Sequence, residues 1–238
     1  MVIQSHSSEA GWHDRAARMK DQVATLYERC QAAYHTFDGL PQLIDQMRIM
    51  SVNAELVSAR AGDHGRAVRV LTQFVTEAVT RMLAMIPEMV ALKKCTYAQA
   101  GMVLRIANDV DKIEGGGARI LATGRTPGDS ALAALEAAWR NEMKGFGEAV
   151  AGMRRAHEGL VGMVRTAREV VLQVELISAN IAIEASGAGP FEADIKAIAD
   201  FMRGRVEELR AMVDNAGRSL RAVADMNHAL AALAVGRI

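Results

Sequence analysis

Four runs of apolar residues, stepping alternately by three and four, govern what this 238-residue chain can fold into. The first is Leu40, Leu43, Met47, Met50, Ala54, Val57 and Ala61. The second begins Val68, Leu71, Val75, Ala78, Met82, Met85, Met89, Leu92 and continues less regularly through Cys95, Met102, Ile106, Val110 and Ile113. The third starts at Leu132, Leu135, Trp139, Met143, Phe146, Val150 and Met153, passes through His157, Leu160, Val164 and Ala167, and ends with Val171, Val174, Ile177 and Ile181. The fourth runs Ile195, Ile198, Met202, Val206, Leu209, Val213, Ala216, Leu220, Val223, Met226, Leu230 and Leu233. A 3-4 repeat places every apolar residue on one seam of a helix, which is the pattern of a coiled coil. A strand would need a period of two.

Ahead of the first seam, Ala16, Met19, Val23, Leu26, Cys30, Tyr34 and Phe37 already recur at helical spacing. Asp38-Gly39-Leu40-Pro41 interrupts them. Proline has no amide to give the preceding turn, so a kink or a restart with Asp38 near an N-cap is expected. Gly62 and Gly65 close the first seam and Gly187 to Pro190 the third, as glycines do at helix C-termini. Pro87 lies within the second seam, which keeps its phase across it, so a kink without a stop is expected. Gly115-Gly116-Gly117, Pro127 and Gly128 mark a linker.

The domain reading is therefore a loose lead-in over 1–11, a helical hairpin over 12–113, a Gly-rich linker over 114–130 and a second hairpin over 131–238. A joint of two or three residues makes successive helices antiparallel, and a lone hairpin leaves half its seam wet. The expected fold is all-α: one long antiparallel four-helix coiled-coil bundle whose helices span about 70–85 Å each. Both turns would lie at one end, and Cys30 and Cys95 would share a layer as core-filling thiols. Ten aromatic residues and four prolines fit long helices better than a sandwich or barrel.

Charge and motifs exclude several functions. Twenty-eight basic side chains balance twenty-eight acidic ones without a basic stripe, so no nucleic-acid partner is indicated. No apolar run reaches the ~20 residues of a membrane span, and the polar stretch from Met1 to His13 lacks the core of a signal peptide. Two cysteines make neither a disulfide framework nor a metal cluster. A soluble, reduced, cytoplasmic protein is expected. There is no nucleophile elbow, P-loop or zinc spacing, so neither catalysis nor a cofactor is expected. His157 falls on the third seam, where a core histidine is usually hydrogen-bonded. The Glu207-Glu208 pair is read as a solvated helix face.

Two stretches share a pattern: Ser51-Val52-Asn53-Ala54-Glu55-Leu56-Val57-Ser58-Ala59-Arg60-Ala61-Gly62-Asp63-His64-Gly65-Arg66, and Ser178-Ala179-Asn180-Ile181-Ala182-Ile183-Glu184-Ala185-Ser186-Gly187-Ala188-Gly189-Pro190-Phe191. Each runs from an Asn through small residues into Ala-Gly and a turn, with the Asn residues 127 positions apart. Both resemble the cytoplasmic signalling tip of methyl-accepting chemotaxis proteins, the hairpin end of a long antiparallel coiled coil. The first copy matches at Asn53, Arg60-Ala61-Gly62 and Asp63-His64-Gly65-Arg66, with Val57 where the family has Glu. The second matches at Asn180, Ile183-Glu184-Ala185 and Ala199-Asp200-Phe201-Met202-Arg203, with Gly187 where the family has Arg. The likeness is close over about twenty-five residues per copy.

The resemblance implies a receptor dimer fused into one chain. Its tip would engage a chemotaxis histidine kinase, a coupling adaptor or other chemoreceptors through Asn53, Arg60, Asp63, His64, Arg66, Asn180, Glu184 and Phe191. Blander readings stand beside these. Asn53 and Asn180 could set helix register as buried polar residues. The charged residues of the first turn could simply be solvated, and Phe191 could tuck under its turn. A sensory bundle holding a small ligand or haem near His157 or at the Gly39-Pro41 and Pro87 kinks is the alternative function, with a plain coiled-coil spacer as a third.

Overall fold

The computed structural model describes residues 6–122 and 129–235, and these form helices and short turns without strands. The helices are α1 (His6–His35), α2 (Leu40–Arg60), α3 (Arg66–Ala122), α4 (Asp129–Ala185) and α5 (Glu192–Val235). The seam positions Ala16, Met19, Leu132, Met226, Leu230 and Leu233, and the linker segment 123–128, lie outside the described side chains and residues. α1 begins at His6, inside the stretch expected as a lead-in. Gly115, Gly116 and Gly117 are not a linker: α3 continues through them to Ala122, as it does through Pro87.

The expected break at 38–41 is a tight turn between α1 and α2. Gly39, not Asp38, is the N-cap of α2, and Pro41 follows in its first turn, where the missing amide costs nothing. Asp38 instead faces back to His35, with its Oδ2 2.6 Å from Nδ1.

The chain forms two compact units, each made of separate stretches. Unit 2 comprises 32–91 and 159–219 and contains the turns from α1 to α2, from α2 to α3 and from α4 to α5. Within it, Ser51 of α2 meets Thr76 of α3 with hydroxyls 2.6 Å apart, while Ser58 lies against Gly65. Gln46 of α2 accepts from Arg205 of α5 at 2.8 Å, and Gly39 packs on Met212. Arg168 of α4 donates to Asp214 of α5, and Glu175 pairs with Arg210. Arg81 of α3 reaches Glu169 and Gln173 of α4. In each of the first three pairings the partner number falls as the other rises, so neighbouring helices run in opposite directions. Four helical segments thus form a ring in the order α2, α3, α4, α5.

Unit 1 comprises 1–31, 92–158 and 220–238. A Cβ on Gly152 would lie 2.8 Å from Gln99, and one on Gly145 3.4 Å from Ile106, which sets α4 antiparallel to α3. Lys20 pairs with Asp111, and Tyr27 packs on Tyr97 at 5.4 Å between ring centres, which sets α1 antiparallel to α3.

The third and fourth seams hold in detail. From Met143 to Ile181 every expected position except half-buried His157 is buried, and so is every one from Ile195 to Val223; Leu135 and Trp139 are half-buried. In α2 the core stripe instead runs Leu40, Leu43, Ile44, Met47, Ser51, Ala54, Ser58 and Ala61, with Met50 and Val57 only half-buried. In α3, Thr72 and Thr96 replace Leu71 and Cys95 at the core. Near the turn from α2 to α3 the helices approach closely, with the Ser51 and Thr76 hydroxyls 2.6 Å apart, and small residues take the core positions there.

Cys95 is therefore exposed and not the core filler expected, while Cys30 is buried and burial pushes its thiol up to about 11. Thiol alkylation at pH 8 should modify Cys95 quickly and Cys30 at least about a hundredfold more slowly until denaturant is added. Equal rates in the native protein would contradict this burial.

Candidate partner-binding tip

Unit 2 ends in two turns that each reverse on a left-handed glycine, although α2 stays α-helical to Arg60 while α4 leaves the α-helix after Ala185. α2 closes with the amide of Ala61 on the carbonyl of Val57 at 2.9 Å, and the chain reverses at Gly62, whose φ is 60°. α4 closes with the amide of Ala188 on the carbonyl of Ala185 at 3.0 Å and reverses at Gly189, whose φ is 57°. That left-handed conformation disfavours any residue with a Cβ. Ala61 and Ala188 are both buried. The shift from 61–62 to 188–189 is the same 127 positions that separates Asn53 from Asn180. The same shift relates buried Ser51 to Ser178, Ala54 to Ile181, Ser58 to Ala185 and Val75 to Met202. The repeat is thus one of packing as well as of letters.

α2 rises toward its turn as facing α5 descends toward its start, so both turns lie at one end of unit 2. A short 3-10 segment, Gly62–Gly65, links α2 to α3, and another, Gly189–Phe191, links α4 to α5. Gly65 is buried, and a Cβ there would fall 2.1 Å from the carbonyl oxygen of Ser58. Only glycine admits this approach.

The eight candidate residues fall on or beside this end. Asn53, Arg60, Asp63, His64, Arg66 and Glu184 are exposed; Asn180 and Phe191 are half-buried. Asn53 is therefore not a buried register residue; Ser51, two residues before it, makes the polar contact with Thr76 of α3. Arg66 donates to Asp63 at 3.0 Å, but with side chains 82% and 93% exposed the pair adds little stability. Asp200 and Arg203 pair with each other at 3.2 Å on the outer surface of α5. Glu207 and Glu208 are exposed, and Glu208 pairs with Arg205.

Sequence reasoning passed over the apolar residues facing outward near the turns. Ile49, Val52 and Leu56 of α2, and Leu172, Leu176 and Ile183 of α4, are each more than half exposed. The signal was available, since each triplet recurs at helical spacing opposite its seam.

His157 lies in unit 1, half-buried between Met153 and Leu160, and its buried Nδ1 has no hydrogen-bond partner. Burial lowers its pKa, against a smaller opposing pull from Glu158. Among the described residues, no group of three or more His, Cys, Asp or Glu side chains could hold a metal ion, and no helix is long and apolar enough to cross a membrane. No family model matches the chain, nor does any curated protein or solved structure.

Two outcomes follow. Gly65→Ala should lower stability by about 2 kcal/mol or more, because backbone must move to admit the methyl group, and a thermal melt reads this directly. The folded chain holds the His157 proton less readily than the unfolded one. Its contribution is thus intact above an ordinary histidine pKa near ~6.5 and fades as pH falls below it. His157→Leu should melt at least as high as wild type at pH 7 and lose less stability between pH 7 and pH 5.

Proposed function

We propose that this protein is a chemoreceptor-like signalling or scaffold protein of the cytoplasm, whose paired turns bind a chemotaxis-type histidine kinase or its coupling adaptor. One observation carries the reading: the same small-residue turn, reversing on a left-handed glycine, occurs twice at an identical shift and at one end of unit 2. Around it, Arg60, Asp63, His64 and Glu184 are exposed, and the Asp63–Arg66 pair is itself open to solvent, so these side chains can be reached by a partner. The motif residues that match the chemotaxis family lie on these same turns. Nothing in the packing of unit 2 requires charged groups there, since Ala, Ser and Gly make the close contacts.

The two copies differ. The first keeps Arg60 and the Asp63-Arg66 turn; the second keeps Glu184 and has Pro190-Phe191-Glu192-Ala193 in place of that turn. A partner surface would therefore meet two unlike corners, and binding at one is the simpler expectation.

Arg60→Glu and Glu184→Lys alter exposed groups only, so helicity and melting temperature should stay at wild-type values. Capture of a purified chemotaxis kinase or adaptor should weaken by roughly tenfold, about 1.4 kcal/mol, in at least one variant. Wild-type capture by both, or no capture by the wild type, would overturn the proposal in favour of a spacer.

A further inference from the structure

Arg81 of α3 pairs with Glu169 of α4 at 3.3 Å and donates to Gln173 at 3.2 Å, which marks the outer edge where the two helices meet. One heptad from Arg81 toward the turn of α3 stands Phe74. One and two heptads from Glu169 toward the turn of α4 stand Leu176 and Ile183. Residues seven apart on a helix share a face, so both rows follow the same edge. Because the helices are antiparallel, Phe74 comes level with Leu176, and Val70, one turn beyond Phe74, level with Ile183. Val70, Phe74, Leu176 and Ile183 are 51%, 42%, 65% and 67% exposed and line one apolar groove beside the turns of unit 2. A contiguous exposed apolar surface of this kind marks an interaction site.

The repeat builds a second groove, and comparing the two separates them. At the shift of 127, Phe74 corresponds to Phe201 of α5, while Leu176 and Ile183 correspond to Ile49 and Leu56 of α2. Gln173 corresponds to Gln46, and each glutamine accepts from an arginine of the facing helix, Arg81 or Arg205. In the α2–α5 groove, however, the Arg205 guanidinium lies over the Phe201 ring at 5.2 Å. Ala197 and Gly204 stand there where α3 has Val70 and Glu77. The α3–α4 groove is the open and acidic one of the two. Glu77 is exposed one turn from Phe74, Glu169 closes the far end, and Glu184 follows Ile183. Against these carboxylates stands Arg81, already engaged by Glu169 and Gln173. Arg69 belongs to the other edge of α3, one heptad from Thr76, which meets Ser51 of α2.

We infer that the α3–α4 groove of unit 2 receives an amphipathic helix of a partner protein, apolar on one face and flanked by Lys or Arg. A groove between two packed helices takes the apolar face of such a helix through anchors at i, i+3 or i+4 and i+7. Leu176 to Ile183 spans about 10 Å, which is two turns of the incoming helix. Basic residues beside its apolar face would meet Glu77, Glu169 and Glu184, whereas an acidic helix would be repelled. A second copy of this chain is a poor match. The exposed apolar residues of α2 lie among Asp45 and Glu55 as well as Arg48 and Arg60, and two α3–α4 grooves laid together would oppose their carboxylates. The inference stands apart from the kinase reading, since Val70, Phe74 and Leu176 lie outside the candidate tip residues.

The test uses the purified full chain and a fluorescein-labelled helical peptide of about fifteen residues, with leucine along one face and lysine on both flanks. Anisotropy should saturate at one peptide per chain. The same peptide with glutamate for lysine should bind at least about tenfold more weakly. Phe74→Ser and Ile183→Ser should each weaken binding of the lysine peptide by about tenfold or more, with helicity and melting temperature kept. Glu77→Lys should weaken it several-fold, whereas Leu56→Ser, at the matching position of the other groove, should leave it unchanged. Absence of saturable binding overturns the inference, as does equal affinity for the two peptides. So does wild-type binding by either Phe74→Ser or Ile183→Ser, or a loss with Leu56→Ser as large as theirs. A wild type that dimerises in sedimentation velocity, and loses the dimer with Ile183→Ser, would give the groove to a second copy and overturn it too.

Discussion

The close approach of α2 to α3 is the constraint on which unit 2 depends. A carbonyl of Ser58 lies where a Cβ of residue 65 would have to be, and two hydroxyls, of Ser51 and Thr76, meet at 2.6 Å between the helices. The α2 side of the core there is made of Ser51, Ala54, Ser58 and Ala61, facing Gly65, Val68, Thr72 and Val75 on the α3 side. Burying the small residues among them supplies little hydrophobic energy for each. What holds them is packing density and hydrogen bonds that close within the helices, as when Ser58 donates to the carbonyl of Glu55 at 2.9 Å and Ser178 to that of Glu175 at 2.9 Å.

The inner face of α2 changes along its length, from Leu40, Leu43, Ile44 and Met47 to Ser51, Ala54 and Ser58 near the turn, while Ile49, Val52 and Leu56 stand outside. α4 is different inside, where Val171, Val174, Ile177 and Ile181 fill the core, and its outer stripe matches that of α2 at two positions, Leu176 for Ile49 and Ile183 for Leu56, while Ala179 stands for Val52 and Leu172 for Asp45.

Much of this was legible in the letters. Spacing alone placed the third and fourth seams residue by residue, because Leu, Val, Ile and Met occupy nearly every core position of α4 and α5. The two turns were legible because glycine is the residue that reverses a chain through positive φ, and Gly62 and Gly189 do so. In α2 and α3 the reading slipped by one position, to Met50, Val57, Leu71 and Cys95. A search for apolar residues skips a serine or threonine that is buried because it is small. The Gly115-Gly116-Gly117 run misled for the opposite reason. Glycine lowers helix propensity by about 1 kcal/mol per residue, yet a long helix can carry three such residues when the turns on either side are packed. The charged residues of the first turn are exposed as their letters suggest, and Phe191 is half-buried, but sequence offers no measure of what meets them.

The helices α3 and α4 each contribute to both compact units, while the units themselves are assembled from stretches far apart in the chain. Cutting this gene at its apparent midpoint would not release a free-standing half. Each fragment would carry two strips of each unit and lack the two that complete it. For the chain leaving the ribosome, neither unit has its full set of helices until α5 has been made. Long-range closure, not local helix formation, is then the slow requirement of its folding.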